Sequence, residues 1–349
     1  MTDTNVSPAE ILKRYRKARD KRAEWEGLWR ECYDYALPSR AGAFAPAGSA
    51  ARSERLFDGT APDAVDQLAA SLLAQLTPPW ARWFGFAPGT DTPTEARTLL
   101  APELDRAAQI MQSHFDRSNF AVEMHQCYLD LATAGTASLL IEEAPPGEAS
   151  ALRFCAVPLA QLAFEETGSG RLEAVFRRWD MPLGAVRARF PNAEVPPFAL
   201  ARGERDPDAT LAVTEAVLPD GQGFSYAAVA DPGEGATAEA TELGRGRFAH
   251  SPFVSFRWLK APGELYGRSP VMKALPDIRT ANKVIELVLK NASIAVTGIW
   301  QADDAGFSTP SSSACQMPVT AIEAFLRTSS ITLLAVLMSG SAFITGERP

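Results

Sequence analysis

Three adjacent carboxylate pairs, Glu142-Glu143, Glu165-Glu166 and Asp303-Asp304, are the residues of this chain best suited by type and spacing to chemistry. Such pairs can hold a divalent cation or divide acid and base roles, but both uses need a further group at a defined spacing. The histidines do not supply one: His114 and His125 stand eleven residues apart on different expected helices, and His250 stands alone. Cys32, Cys127, Cys155 and Cys315 are scattered with no CxxC pair, so neither a zinc site nor a disulfide framework is expected, and a reducing compartment is the natural setting. There is no GxGxxG fingerprint, lysine-bearing phosphate loop, GxSxG elbow or HExxH helix. Gly244-Arg245-Gly246 reads as a turn ahead of a strand. The pairs are therefore read as solvated strand ends and the histidines as half-buried. No cofactor, metal or catalytic residue is expected, and a metal-dependent hydrolase working through Glu165 or Glu166 is the remaining catalytic alternative.

The composition is globular, with 46% hydrophobic and 22% charged residues. A net charge of −8 argues against a surface that grips nucleic-acid phosphates throughout, yet it does not exclude a protein through which DNA slides. The start of the chain is polar and runs straight into a charged helix, so no signal peptide is expected. Ile331 to Ile344 is too short for a membrane span and contains Ser339, Gly340 and Ser341.

The elements that would position these residues begin with Ser7-Pro8-Ala9-Glu10, a capping box with proline at the first helical position. Ile11, Tyr15, Ala18, Trp25, Trp29, Cys32 and Ala36 keep helical spacing from there to Pro38, with Arg22 in the missing apolar slot. The other face gathers Lys13, Arg14, Arg16, Lys17, Arg19 and Lys21. It is either a solvated face or a contact for nucleic acid or an acidic partner, with Arg14, Lys17 and Lys21 as the candidate contacts. Ala41 to Ser53 reads as a loop. A second helix capped by Thr60 ends at Thr77-Pro78-Pro79, and Trp80, Trp83, Phe84 and Phe86 then form a plug between helices. Helices are expected over Thr94 to Ser118 and Asn119 to Ala134, the latter capped by Gly135.

From Ala137 the pattern turns to short β runs: 138–143, 152–157, 161–165, 171–179, 210–218, 224–230, 243–249 and 252–258. A hairpin turn falls at 167–170, a short helix at 183–190, and surface loops at 201–208 and 231–240.

Tyr266 to Thr297 closes the readable part. Ser269 can cap a helix that Pro270 opens, and Val271, Leu275, Ile278, Ala281, Ile285, Val288, Ala292 and Ala295 fall on one helical stripe. Pro276 should kink or restart the helix. From there to Thr297 it would run about 33 Å at roughly 1.5 Å per residue, a length that needs neighbours.

The order of several strings resembles the head-to-tail connector, or portal, proteins of short-tailed T7-like bacteriophages. They are Tyr35-Ala36-Leu37-Pro38, Phe57-Asp58-Gly59-Thr60-Ala61, Leu76-Thr77-Pro78-Pro79 with Trp83-Phe84, Gly135-Thr136-Ala137, Tyr266-Gly267-Arg268-Ser269-Pro270 and Ala274-Leu275-Pro276-Asp277. The resemblance implies an α+β portal-type fold: a helical part over 1–135, a β-rich wing-like region over 136–262, a long-helix stem or wing region over 263–306, and an atypical tail over 307–349. It implies a virion component assembled in the host cytoplasm, a ring that is usually a dodecamer, with no membrane involved. Its partners would be a terminase ATPase, capsid and scaffold proteins, tail adaptor proteins and double-stranded DNA that passes through without specific binding. Lys283, Glu286 and Lys290 become candidates for an intersubunit or channel-proximal position. A capsid or tail adaptor without a channel is the alternative structural reading.

The chain changes character at Phe307, where residues 307–349 hold 13 Ser or Thr and four charged residues. The family resemblance leads one to expect Gly-Val-Leu-Asn-Pro where Gly306-Phe307-Ser308-Thr309-Pro310 stands. Codons GTT CTC AAC CC, less their first base, read TTC TCA ACC CC, which is Phe-Ser-Thr-Pro. The tail is accordingly read as out of frame and the product as truncated. Resequencing independent isolates checks this, and an intact frame in all of them overturns it.

Overall fold

The computed structural model describes residues 6–44, 56–166, 172–200, 209–233 and 239–297. The tail from 307 with Cys315, the Asp303-Asp304 pair, the 167–170 turn, the 201–208 loop and most of the loop expected over 41–53 lie outside the described residues. Helix α1 (Pro8–Ala36) starts as its capping box dictates, Ser7 Oγ accepting from the Glu10 amide at 3.3 Å. Pro38–Phe44 then winds as a 3-10 turn, held by Arg30 donating to the Phe44 carbonyl at 2.8 Å, so the expected loop begins later than Ala41.

Helix α2 (Thr60–Leu76) corrects the capping assignment. Thr60 is its first helical residue, and the accepting side chain is Asp58, whose Oδ1 takes the Thr60 amide at 3.2 Å and hydroxyl at 2.7 Å. A carboxylate there also faces the positive end of the helix dipole. Helices α3 (Thr94–Arg117) and α4 (Phe120–Ala134) follow, and Gly135 ends α4 in the left-handed region at φ 77° as expected.

The strands are β1 (Thr136–Glu143), β2 (Leu152–Ala156), β3 (Leu162–Glu166) and β4 (Leu172–Pro182). After helix α5 (Leu183–Arg189) come β5 (Thr210–Pro219), β6 (Phe224–Ala230), β7 (Thr241–Phe248) and β8 (Phe253–Arg257). They form two antiparallel sheets, β2-β1-β8 and β3-β4-β5-β6-β7. Gly244-Arg245-Gly246 is not a turn: Gly244 pairs with Ala228 and Gly246 with Tyr226 inside β7, and Leu243 is bulged out. Gly244 suits the strand because a Cβ there would press on the Phe190 ring at 3.2 Å. Helix α6 (Pro270–Thr297) runs through Pro276 as one element, so the restart offered as an alternative to a kink does not occur. Pro276 lies on its exposed side, so no packing is disturbed.

Period-two alternation divides the five-stranded sheet between cores. Phe176, Ala216 and Val229 on one face meet Ile11, Tyr15 and Ala18 of α1, while Val175 and Val217 on the other enter the main core. That main core packs Trp29 and Tyr33 of α1, Val65 and Leu72 of α2, Leu131 of α4, Leu139 of β1 and Leu275 of α6. The aromatic plug is half built. Trp83 stacks on Phe120 and Phe84 meets Phe115 edge-on, but Trp80 is 73% exposed and Phe86 is also exposed. The α3 segment beside them buries only Ala108, so little covers them.

Arg22 occupies the apolar slot of α1 because its charge is fully engaged. It donates to the carbonyls of Ala160 and Leu162 at 2.7 Å each and to Glu26 at 2.8 Å. Arg22→Leu would keep the bulk and strand two carbonyls, costing about 2–4 kcal/mol in urea unfolding. Lys21→Ala, one position away and exposed, should stay within about 0.5 kcal/mol.

Candidate assembly site at the base of the long helix

The strings Gly135-Thr136-Ala137 and Tyr266-Gly267-Arg268-Ser269-Pro270 meet in space. Gly135 and Gly267 face each other so closely that a Cβ on either would collide with the carbonyl oxygen of the other. The Gly135 carbonyl accepts from the Trp258 amide at 2.9 Å, and Thr136 Oγ1 accepts from the Gly267 amide at 2.9 Å. Ser269 Oγ caps α6, accepting from the Met272 amide at 3.0 Å while donating to the Thr133 carbonyl at 2.8 Å. The last turn of α4 and the first turn of α6 are thus tied through one hydroxyl. Below them Tyr266 is fully buried, edge-on to Trp29 at 4.8 Å and near Trp25 and Phe164, and burial pushes its phenol pKa well up.

The first half of α6 is seated on this base. Val271, Leu275, Ile278 and Ala281 are buried as the stripe predicts. Asn282 Oδ1 accepts from the amides of Phe57 at 2.7 Å and Asp58 at 3.1 Å, fixing the lead-in to α2, and Arg279 pairs with Glu31 of α1. Beyond Asn282 the stripe leaves the body. Ile285 is half-buried, and Leu287, Val288, Leu289, Ala292 and Ile294 are exposed; the Ala295 side chain lies outside the described residues. The three candidate residues come together on this half. Glu286 is held between Lys290 at 2.5 Å and Lys283 at 2.9 Å, and these hydrogen bonds lower its carboxyl pKa.

The basic face of α1 is divided. Arg14 bonds Glu165 at 2.6 Å, Lys260 pairs with Glu166, and Arg16 and Arg178 both approach Asp231. Lys17 and Lys21 are exposed. The carboxylates that could have worked in catalysis instead brace sheet against helix: Glu142 likewise takes Arg189 at 2.7 Å. Glu143 and Glu166 are exposed strand ends, as expected, while Glu142 and Glu165 are half-buried. Among the described residues no group of three or more His, Cys, Asp or Glu is placed to hold a metal ion. His114 and His125 are half-buried, and His114 Nδ1 accepts the Ala151 amide at 3.3 Å. The sequence pointed to Ser269 and to the left-handed Gly135, but nothing local marks the Gly135–Gly267 contact or the role of Asn282.

Among the described residues a mixed helix-and-sheet body thus fixes the first half of one long helix and leaves the second half projecting. The chain belongs to the family described as bacteriophage head to tail connecting protein, which it matches over residues 8–324. That match includes the long helix and reaches past Phe307. Relatives include the probable portal protein of Bordetella phage BPP-1, 26% identical over 77% of this chain and 50% of that protein. The portal proteins of Escherichia phage T7 and Enterobacteria phage T3 are 22% and 24% identical, covering 85% and 59% of this chain and 54% and 37% of theirs. The chain thus spans about half or less of the length of these relatives.

Gly267→Ala forces the two backbones apart and should cost about 3 kcal/mol or more. Ser269→Ala loses the cap and one buried bond, for about 1–2 kcal/mol. Chemical denaturation of both variants gives the comparison, and equal midpoints would refute this account of the junction.

Proposed function

We propose that this chain builds the body of a portal subunit, a structural and non-enzymatic part of the ring through which double-stranded phage DNA is packaged and ejected and to which the tail attaches. The observation that carries the reading is the projecting half of α6. At 100° per residue, Lys283, Glu286 and Lys290 fall within roughly 60° of one another. Leu287 and Ile294 lie on one flank of that strip, and Ile285 and Leu289 on the other. An ordinary surface helix keeps one apolar stripe against one body. An apolar arc of roughly 220°, from Ile294 and Leu287 through Val284, Val288 and Ala292 to Ile285 and Leu289, suits a helix held between two copies of itself in a closed head-to-tail ring, with the polar strip turned to the channel.

A lysine–glutamate–lysine strip with its charges internally paired also suits passage of DNA. Every phosphate neutralised by a free cation would add binding that transport must break. The terminase, capsid, scaffold and tail adaptor contacts come with this reading, as does a dodecameric ring. Leu287→Glu with Leu289→Glu should give folded subunits that no longer form rings in native mass spectrometry. Lys283→Gln with Lys290→Gln should leave the rings intact. Negative-stain images without an axial hole wide enough for duplex DNA would favour an adaptor instead, and normal rings from the double glutamate variant would sink the α6 assignment.

A further inference from the structure

The sheets of this subunit close their edges with side chains, and one edge is left out. On β2, Asn119 takes both main-chain groups of Phe154, donating to its carbonyl at 2.7 Å and accepting from its amide at 2.9 Å. Glu123 of α4 accepts from the Ala156 amide of the same strand at 2.7 Å. On β3, Arg22 takes the Leu162 carbonyl, and on β8 the Ser251 hydroxyl closes on the amide and carbonyl of Phe253. Strand β7 ends the five-stranded sheet, and among the described residues no group outside β6 bonds its amides or carbonyls. Its ladder with β6 is unbroken from Gly244 to Phe248. Alternate residues of such a strand turn both amide and carbonyl outward, and a further strand would pair with these.

The start of this edge opens on a cleft of about 580 Å³, walled on one side by Thr241 to Arg245 and on the other by residues 189–194. Consecutive side chains of a strand point to opposite faces, so five residues in a row that line one cleft meet it along the strand's edge. The opposite wall is braced: Phe190 lies over Gly244, and Arg189 holds Glu142 at 2.7 Å and Glu215 at 3.1 Å. The cations that would guard an edge are engaged, Arg245 by Glu242 and Arg247 by Asp220. Glu194 is exposed, and it is the one charged residue of the cleft without a partner among the described residues.

We propose that β7 is a strand-addition site for an extended peptide segment of a partner protein, which lies along the open edge as a sixth strand and sets a basic side chain against Glu194. Main-chain pairing supplies the affinity in this mode, and the positions of alternate side chains supply the selectivity. A second copy offers capped edges at β2, β3 and β8, and β7 against β7 makes a twofold pair rather than a ring. The test uses the full chain with Asn192→Cys, an exposed position in the cleft wall, and with Cys155 and Cys315 replaced by serine; Cys32 and Cys127 are buried. The peptide Cys-Gly-Thr-Val-Lys-Val-Thr is joined to it through a disulfide, which sets an effective concentration of about 1 mM at the cleft. Amide hydrogen exchange of residues 241–248 is read before and after attachment.

The expected result is that alternate amides of Gly244 to Phe248, open in the untethered chain, slow at least tenfold on attachment. N-methylating every second residue of the peptide should abolish the effect in one of the two phases and preserve it in the other, because an added strand turns only alternate amides to its neighbour. Glutamate in place of the peptide's lysine should weaken the protection at least threefold, and Glu194→Lys should reverse that order. No protection by the unmethylated peptide, or equal protection by both methylated phases, overturns the proposal. So do outward amides that are already slow in the dilute untethered chain, which would mean that the chain covers its own edge. Amides that close only as rings form would give the edge to a second copy and overturn it while leaving the ring reading intact.

Discussion

The contact between Gly135 and Gly267 governs the geometry of the whole subunit. Two backbone segments 132 positions apart touch with no side chain between them, and each lies at a boundary where the chain changes element: α4 into β1 on one side, the β8 exit into α6 on the other. Because the spacing is set by backbone atoms, the angle at which α6 leaves the body has little freedom. Thr136 and Ser269 add hydrogen bonds across the same boundary, and both are fully or nearly fully buried, where an unpaired partner is costly. The structure divides α6, with its first half in the main core and its second half outside it.

The ion pairs serve the same end from the other side of the molecule. In an acidic protein, a basic helix face invites a nucleic-acid reading. Here Arg14 is spent on Glu165 and Arg16 on Asp231, tying α1 to β3 and to the end of β6, while Lys260, beyond β8, pairs with Glu166. Arg22 completes the clamp from inside by taking two carbonyls next to β3. Surface pairs of this kind contribute little each. Their use is directional: they fix which way α1 lies on a sheet whose apolar residues alone would tolerate sliding.

How far the sequence could be read follows from the range of the interactions. Period-two runs and helical stripes gave all eight strands and six of the helices to within a few residues, because burial on one face is a local pattern. The Ser7 and Ser269 caps were legible for the same reason. Gly244-Arg245-Gly246 was read as a turn although it fell within the strand expected over 243–249, because two glycines without a stripe look like a turn; its ladder with β6 makes it part of the strand. Thr60 was misread because the helix starts one residue earlier than its hydroxyl suggested: Thr60 is already helical and its own amide is taken by Asp58. The Gly135–Gly267 contact and the grip of Asn282 on residues 57 and 58 join positions more than 130 apart, and no window along the chain contains both partners. The family resemblance could be seen because those strings recur in order, while the reason they matter appears only in three dimensions.

Lys283, Glu286 and Lys290 fall off the apolar stripe, as Lys273, Arg279 and Asn291 mostly do, and were singled out through the family resemblance; their pairing with one another shows only in three dimensions. Whether the apolar remainder is core or interface depends on what the body leaves uncovered, and the body stops at Asn282. Carried on from Ala281, the stripe would have placed Val288 and Ala292 in a core that is not there. Past Asn282 the apolar pattern continues beyond the cover that the described residues provide. On α6 the exposed apolar arc runs from Ile294 and Leu287 through Val288 and Ala292 to Leu289, all beyond the last residue that the described body buries.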